Sequence, residues 1–320
     1  MIPFDTLLCS VLLLVALAVP GYWLGKRHKI SDEAAACMGT VLSDVAMPFL
    51  VFEKLVGTDL SAIPRSDILL CALLPIGLVI LLLVVSRLLF HGYESKAAQN
   101  TSCFCAAFSN CGFLGIPLAA ALFPTQPQIA VFVSLFNVFS SFMLLTLGVT
   151  VLSNGKEKVR FSRLLFRPIT AAILAGIAVS HIHHHLYPLP FVVQYAAYPA
   201  ALTTPLSMIA MGAELSKMPV RSVFCEKKLY PAAAVKLLFA PCVTVLALWL
   251  LRIAGMAVST PAATALFIAA AVSTAATAPA MAKKYGADAR LAAVQTMGTT
   301  LLCIGTLPLS SLLFKLVFPV

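Results

Sequence analysis

The sequence predicts an all-α membrane protein of ten transmembrane helices, arranged as a five-plus-five inverted repeat with a broken fourth and ninth helix. Three observations carry this reading. The 320 residues are 61% hydrophobic and only 11% charged. The basic residues gather on alternate loops. Two apolar stretches, one in each half, are interrupted at about mid-membrane depth by glycine, proline and small polar residues.

A soluble domain of this length would carry about 25% charged residues. Mean hydropathy is +0.98, so the chain reads as polytopic. The net charge is 22 − 12 = +10. In a soluble protein that would hint at nucleic acid; here the basic residues sit in short loops, so membrane orientation accounts for them and no nucleic-acid partner is expected. Residues 1–20 hold no basic residue ahead of the apolar run and no small-residue cleavage site, which reads as a first span and not a signal peptide. Of the nine cysteines, Cys9, Cys71, Cys103, Cys105, Cys111, Cys242 and Cys303 fall in apolar stretches without the spacing of a disulfide framework. They read as small apolar packing residues.

About 20 apolar residues cross the hydrocarbon. Windows of that size place spans at 4–25, 34–56, 67–90, 97–123, 128–152, 168–186, 191–215, 229–251, 260–282 and 290–318. The loops after odd-numbered spans hold 17 of the 22 basic residues. Those after even-numbered spans, with the C-terminal end, hold only Lys54, Arg65, Arg252 and Lys315. The positive-inside rule then puts the odd loops in the cytoplasm and both termini on the non-cytoplasmic side of the cell membrane.

The longest hydrophilic loop, 153–167, is basic and lies mid-chain, dividing a first unit (1–152) from a second (168–320). Five spans per unit is odd, so the second unit enters the membrane from the opposite face, as an inverted repeat does. Three prolines recur in order: Pro48 with Pro205, Pro75 with Pro241 and Pro117 with Pro279. Their offsets are 157, 166 and 162 residues.

The first break runs Ser109-Asn110-Cys111-Gly112-Phe113-Leu114-Gly115-Ile116-Pro117; the second runs Ser273-Thr274-Ala275-Ala276-Thr277-Ala278-Pro279. Proline inside a helix loses a backbone hydrogen bond, and lipid offers no replacement. Paired interrupted spans in two halves point to the binding site of a secondary transporter. A half-helix N-terminus carries partial positive charge and free N–H groups, suited to a carboxylate. Asn110, with Gly112, Gly115 and Pro117, either caps such a half-helix and contacts a solute or acts as interhelical glue. Ser273, Thr274 and Thr277 are the matching hydroxyls. Asn137 is a second intramembrane amide, open to both readings.

Ionisable residues within spans are candidates for ion coupling. Asp44, near the middle of the second span, could carry a proton or ligate a cation. Glu214 and Glu53 either take part or simply reach the interface. Lys236 has three readings: it snorkels to the cytoplasmic surface, attracts an anion, or pairs with Asp44. The run His181–His185 is expected in a solvated external loop, without a carboxylate or cysteine to complete a metal site. No phosphate-cradling loop and no H-E-x-x-H is present. The chain therefore reads as no enzyme and no ATP-driven pump, with no cofactor; sodium or protons would be the coupling ion. A ligand sensor or a passive anion channel is the alternative.

Four stretches carry a family resemblance: Gly21–Arg27 with Ile30–Ala34, Val45–Phe52, Ser109–Leu118, and Asn137 with Thr146–Val149. On these the chain resembles the auxin efflux carrier family, the bacterial relatives of plant PIN-type auxin transporters. The resemblance implies a fold similar to sodium/bile-acid symporters, in which the fourth and ninth helices cross at the substrate site. It implies a mobile core of spans 3–5 and 8–10 on a scaffold of spans 1, 2, 6 and 7. It also implies a homodimer and small organic acids as substrates: malate, malonate or auxin-like. The crossovers map to Asn110–Pro117 and Ser273–Pro279. The plant Asn-Pro-Asn-Thr-Tyr motif is echoed only by Asn110 and Pro117.

Overall fold

The computed structural model describes residues 4–157, 168–187 and 189–318. Most of the basic linker, including Lys158, Arg160, Arg163 and Arg167, lies outside them. Among the described residues the chain is almost wholly helical and has no strand. The first half holds α1 (Phe4–Lys26), α2 (Asp32–Val56), α3 (Arg65–Leu89), α4a (Lys96–Ala107), α4b (Ile116–Leu122) and α5 (Pro127–Leu152). The second half holds α6 (Pro168–His185), α7a (Pro190–Ala201), α7b (Thr203–Ser216), α8 (Leu229–Ile253), α9a (Thr260–Ala271), α9b (Ala278–Lys284) and α10 (Ala289–Val317). By length and composition α2, α3, α5, α8 and α10 can each cross a bilayer. Shorter apolar helices accompany them at Cys111–Leu122 and Thr260–Ala271.

Starts are set by side-chain caps. Ser31 accepts the Ala34 N–H ahead of α2, Ser259 that of Ala262 in α9a, and Asp288 that of Leu291 in α10. Each satisfies an N–H that the first turn leaves without a partner. A long outer face on α3 shows what surrounds the helices. Leu69, Leu73, Ile80, Val84 and Leu88 are exposed along one side, while Asp67, Cys71, Pro75, Leu78, Leu82 and Ser86 are buried on the other. An apolar exterior over a more mixed interior suits lipid and not water.

Prolines shape three helices in the same way. A π-helical turn spans Leu42–Ala46, Cys111–Gly115 and Val235–Phe239. Pro48, Pro117 and Pro241 each stand six residues after the first residue of the turn. A proline ring cannot donate and collides with the carbonyl four residues back. Widening the preceding turn removes the collision, and the residue just before each proline donates five residues back: Met47 to Leu42, Ile116 to Cys111 and Ala240 to Val235. A fourth π turn, Leu144–Gly148 in α5, has no proline after it, and nothing in the structure explains it.

Small residues bring α1 and α7b into backbone contact. A Cβ on Gly21 would lie 2.0 Å from the Ile209 carbonyl oxygen, and one on Gly212 would lie 2.0 Å from that of Ala18. Gly25 meets the Ser216 hydroxyl at 2.1 Å in the same sense. Gly21–Gly25 and Gly212–Ser216 are thus facing small-xxx-small pairs. Gly21 meets Ile209 and, one turn on, Gly25 meets Ala213 and Ser216, so α1 and α7b run parallel.

One expectation is corrected. His181–His185 do not form a loop; they make the last turns of α6. There the His184 Nε2 lies 3.0 Å from the Val56 carbonyl oxygen, and His183 Nδ1 accepts the Leu189 N–H at 2.7 Å. The alanine-rich helix before them simply continues, and no cluster of metal-ligating residues occurs among the described residues.

Replacing Gly212 by leucine forces the two helix backbones apart. Overpacking of this kind costs about 1–3 kcal/mol or more. We expect a clearly lowered melting temperature in detergent, against no change for Gly305→Ala, where the added methyl meets nothing within 4 Å. An unchanged melting temperature for Gly212→Leu would contradict the packing.

Candidate functional site

The two breaks meet. Ser109 and Thr274 form an isolated antiparallel bridge. The Asn110 N–H donates to the Ser273 carbonyl at 2.8 Å, and the Ala275 N–H donates to the Phe108 carbonyl at 2.9 Å. Each extended piece therefore supplies what the other lost by leaving the helix. The expected site residues Ser109, Asn110, Ser273 and Thr274 come together here.

The end of α9a is capped from outside its own helix. The last four carbonyls of a helix have no partner within it in α register. Ile268 receives the Val272 N–H at 3.1 Å. Ala269 receives the Cys111 thiol at 3.3 Å, Ala270 the Lys236 ammonium at 2.9 Å, and Ala271 the Cys303 thiol at 3.6 Å. Three of the four donors come from three other places: the first break, α8 and α10. At the end of α4a, the Thr274 hydroxyl donates to the Cys105 carbonyl at 2.7 Å.

α10 braces the crossing. Thr299 Oγ1 accepts the Thr274 N–H at 3.2 Å, and the Thr300 hydroxyl donates to Ser273 Oγ at 3.2 Å. One turn earlier, Gln295 donates to Ser102 Oγ at 2.8 Å and to the Lys228 carbonyl at 2.9 Å. Sequence reasoning missed all three α10 residues. The signal was present: adjacent threonines and a glutamine inside an apolar span. It also read Cys111 and Cys303 as packing alone, whereas both thiols donate to freed carbonyls. Asp67 was missed as well. It is fully buried at the start of α3, where Oδ1 accepts the Ser259 N–H at 3.1 Å and ties α3 to α9a.

Beyond the bridge lie the N-terminal ends of the half-helices. Asn110 stands just before the first π turn, and its carbonyl accepts from Leu114 and Gly115, both at 3.1 Å. The N–H groups of Cys111, Gly112 and Phe113 start that turn with no helical carbonyl before them. Gly112 faces Asn137: a Cβ there would lie 3.6 Å from the amide oxygen and 3.8 Å from the nitrogen. It would also press on the Met47 methyl at 2.9 Å. Gly115 packs on Val133 of α5, and Pro117 is buried in α4b. On the other side Thr277 is exposed, with Pro279 half-buried in the first turn of α9b.

The ionisable residues separate. Lys236 is 0% exposed and donates to Ser109 Oγ and to the Ala270 carbonyl. Two of its expected readings are thereby corrected: it neither snorkels to the surface nor pairs with Asp44. The π turn Val235–Phe239 and the α9a end hold the ammonium inside. Asp44 is exposed on the π turn of α2, and Ser43 donates to it at 2.9 Å. Glu214 pairs with Lys217 at 2.7 Å, and Lys217 also reaches Asp32 at 2.8 Å. Glu53 pairs with its neighbour Lys54 at 3.1 Å.

Comparison with known proteins agrees with this geometry. The membrane transport protein family model matches residues 6–162 and 157–311. The chain belongs to that family. A Rhizobium meliloti protein named "Putative malonate transporter" is 25% identical over 303 residues, 89% of each chain. An "Uncharacterized transporter" of Methanothermobacter thermautotrophicus is 26% identical over 242 residues, 72% of this chain and 75% of that one. This is a multi-pass membrane protein of a transporter family, and the resemblance to auxin efflux carriers falls within it.

Thr274→Val keeps the shape and removes the hydroxyl that satisfies Cys105. A buried acceptor left without its partner costs about 1–3 kcal/mol. The melting temperature should drop by several degrees, while Thr277→Val, at an exposed site, should leave it unchanged. Equal behaviour of the two variants would argue against the crossing as described.

Proposed function

We propose that the protein is a secondary active transporter of small organic anions, of malate or malonate type or auxin-like, working by alternating access. The observation that carries the reading is the antiparallel crossing of two half-helices at Ser109 and Thr274, beside which Gly112 of the first half-helix faces the Asn137 amide. The N-terminal end of a half-helix favours a carboxylate. The name of the Rhizobium relative, a malonate transporter in its printed form, supports the same substrate class.

Packing supports the five-plus-five inverted repeat. Exchanging the halves would swap α1 with α6, α2 with α7, and so on to α5 with α10. Under that exchange α1 against α7b becomes α6 against α2; α3 against α5 becomes α8 against α10; α5 against α9a becomes α10 against α4a. Every one of these pairs is in contact. The bridge obeys the same rule: 274 − 109 = 165, and a shift of 165 carries the Asn110–Ser273 bond onto the Ala275–Phe108 bond. The parallel run of α1 and α7b agrees with both being odd-numbered spans. The family match also divides at 157–162, inside the basic linker.

In this reading α3–α5 and α8–α10 form the moving core on a scaffold of α1, α2, α6 and α7. Asn110, Gly112, Asn137 and Thr277 contact the substrate, and Ser109, Ser273 and Thr274 hold the crossing. Asp44 and Glu214 stand outside that cluster and are weaker coupling candidates than Lys236. The basic loops put both termini on the non-cytoplasmic side, and the family analogy adds a homodimer.

The test is uptake of labelled malate, malonate and indole-acetate into liposomes carrying the purified chain, with sodium, proton and voltage gradients imposed separately. Saturable uptake of at least one acid is expected. Asn110→Ala should lower it about tenfold or more while the protein melts as before. Full activity in that variant, or no acid moved under any gradient by folded protein, would remove the proposal.

A further inference from the structure

Lys236 is the least expected group in the molecule: a cationic side chain, wholly buried, at the crossing. Among the described residues no carboxylate pairs with it. Its ligands are the Ala270 carbonyl at the C-terminal end of α9a and the Ser109 hydroxyl in the first break. Partial negative charge gathers at a helix C-terminus, and a cation there is favoured. In transporters with broken helices, freed carbonyls and half-helix C-termini coordinate the driving sodium ion or proton. Here those oxygens already hold a cation that the chain itself supplies.

We infer that the Lys236 ammonium is a tethered cation occupying the place of a coupling sodium ion, so that the crossing binds no sodium and transport does not depend on it. The inference deepens the carrier reading and rests on it for its transport consequence. The surroundings agree. The titratable groups facing Lys236 are the thiols of Cys111 from the first break and Cys303 from α10. The packed helix α4a adds the thiols Cys103 and Cys105 and, exposed at its first residue, Lys96, but no acid, and α9a contributes no ionisable residue. A sodium ion at the same oxygens would therefore meet a fixed positive charge with no acid to offset it. The halves differ at this point too. Counting back five residues from Pro241 gives Lys236, and the same count from Pro75 gives Leu70. A purely structural hydrogen bond would be needed at both ends of a two-fold crossing; a tethered ion is needed once.

The experiment uses the purified full chain in detergent at constant ionic strength, with choline replacing sodium. Wild-type protein should bind no radiolabelled sodium saturably, and its melting temperature should be the same in both salts. Lys236→Ala frees the carbonyl and hydroxyl. Its melting temperature should fall in choline and recover by several degrees in sodium but not in choline of equal strength. Lys236→Met, which keeps the length without a donor or a charge, should behave alike and serves if the alanine variant does not fold. Saturable sodium binding by the wild type overturns the inference, as does a variant that sodium does not stabilise. In liposomes, replacing sodium by choline should leave initial uptake within twofold; a tenfold dependence on sodium would also overturn it. If no acid is carried at all, the carrier reading fails, and the binding and melting measurements still decide the role of Lys236.

Discussion

Two helices stop in the middle of the membrane, and every backbone group they release must find a partner inside the protein. That constraint organises the molecule. An open carbonyl or N–H in hydrocarbon costs several kcal/mol. The cheapest local remedy is a second chain segment with complementary needs, and the bridge between Ser109 and Thr274 is that segment pair. Two bonds cannot satisfy two helix ends. The remaining carbonyls are met by side chains from the two breaks themselves, α8 and α10, and so the position of those helices is fixed by the crossing as much as by apolar packing.

The same constraint explains the choice of residues. Donors to a freed carbonyl must be short and reach it without opening a void. Threonine, cysteine and a single longer lysine do this from separate parts of the chain. Glycine at Gly112 keeps the backbone open toward Asn137, where a methyl would press on Met47. The prolines convert the turn ahead of them to π geometry, just after the first break and, in α8, beside the crossing. Each π turn rotates the residues after it relative to those before it, and in α8 this is the turn that carries Lys236. π turns of this kind recur at functional sites, and here two of the three proline-linked turns border the crossing.

Much of this was legible in the sequence because lipid makes the rules strict. Helix positions followed from apolar length, whereas the capping roles of Ser31, Ser259 and Asp288 emerged only from the structure. The two breaks were visible because glycine and proline among apolar residues have few other meanings there. What could not be read was partnership. Nothing in the string says that Thr274 serves Cys105, or that Thr299 and Thr300 of α10 reach the second break; these are contacts across 25 to 169 residues. Lys236 shows the limit most clearly. Its depth of seven residues into α8 was plain, yet depth allowed a snorkelling, an anion-attracting and a paired lysine. Only the placement of Ala270 and Ser109 chooses among them. The histidine run erred for the opposite reason: a polar composition suggested a loop, but helix continuation from 168 onward carried it into the α6 end.

The crossing is unequal in its side chains. A perfectly two-fold site would have two equal faces and no preferred direction of charge. Here the backbone bridge is symmetric under exchange of the halves, while the side chains are not: Lys236 on one side corresponds to Leu70 on the other. Fixed positive charge then lies beside one helix C-terminus, and the open N–H groups of Cys111–Phe113 lie at the start of the other half-helix. The arrangement separates the two electrostatic tasks of binding. The lysine neutralises the carbonyl end that would repel an anion, and in the proposed carrier the N-terminal end holds it. Under the proposed function the symmetric backbone supplies the frame, and the asymmetric side chains set what the frame binds.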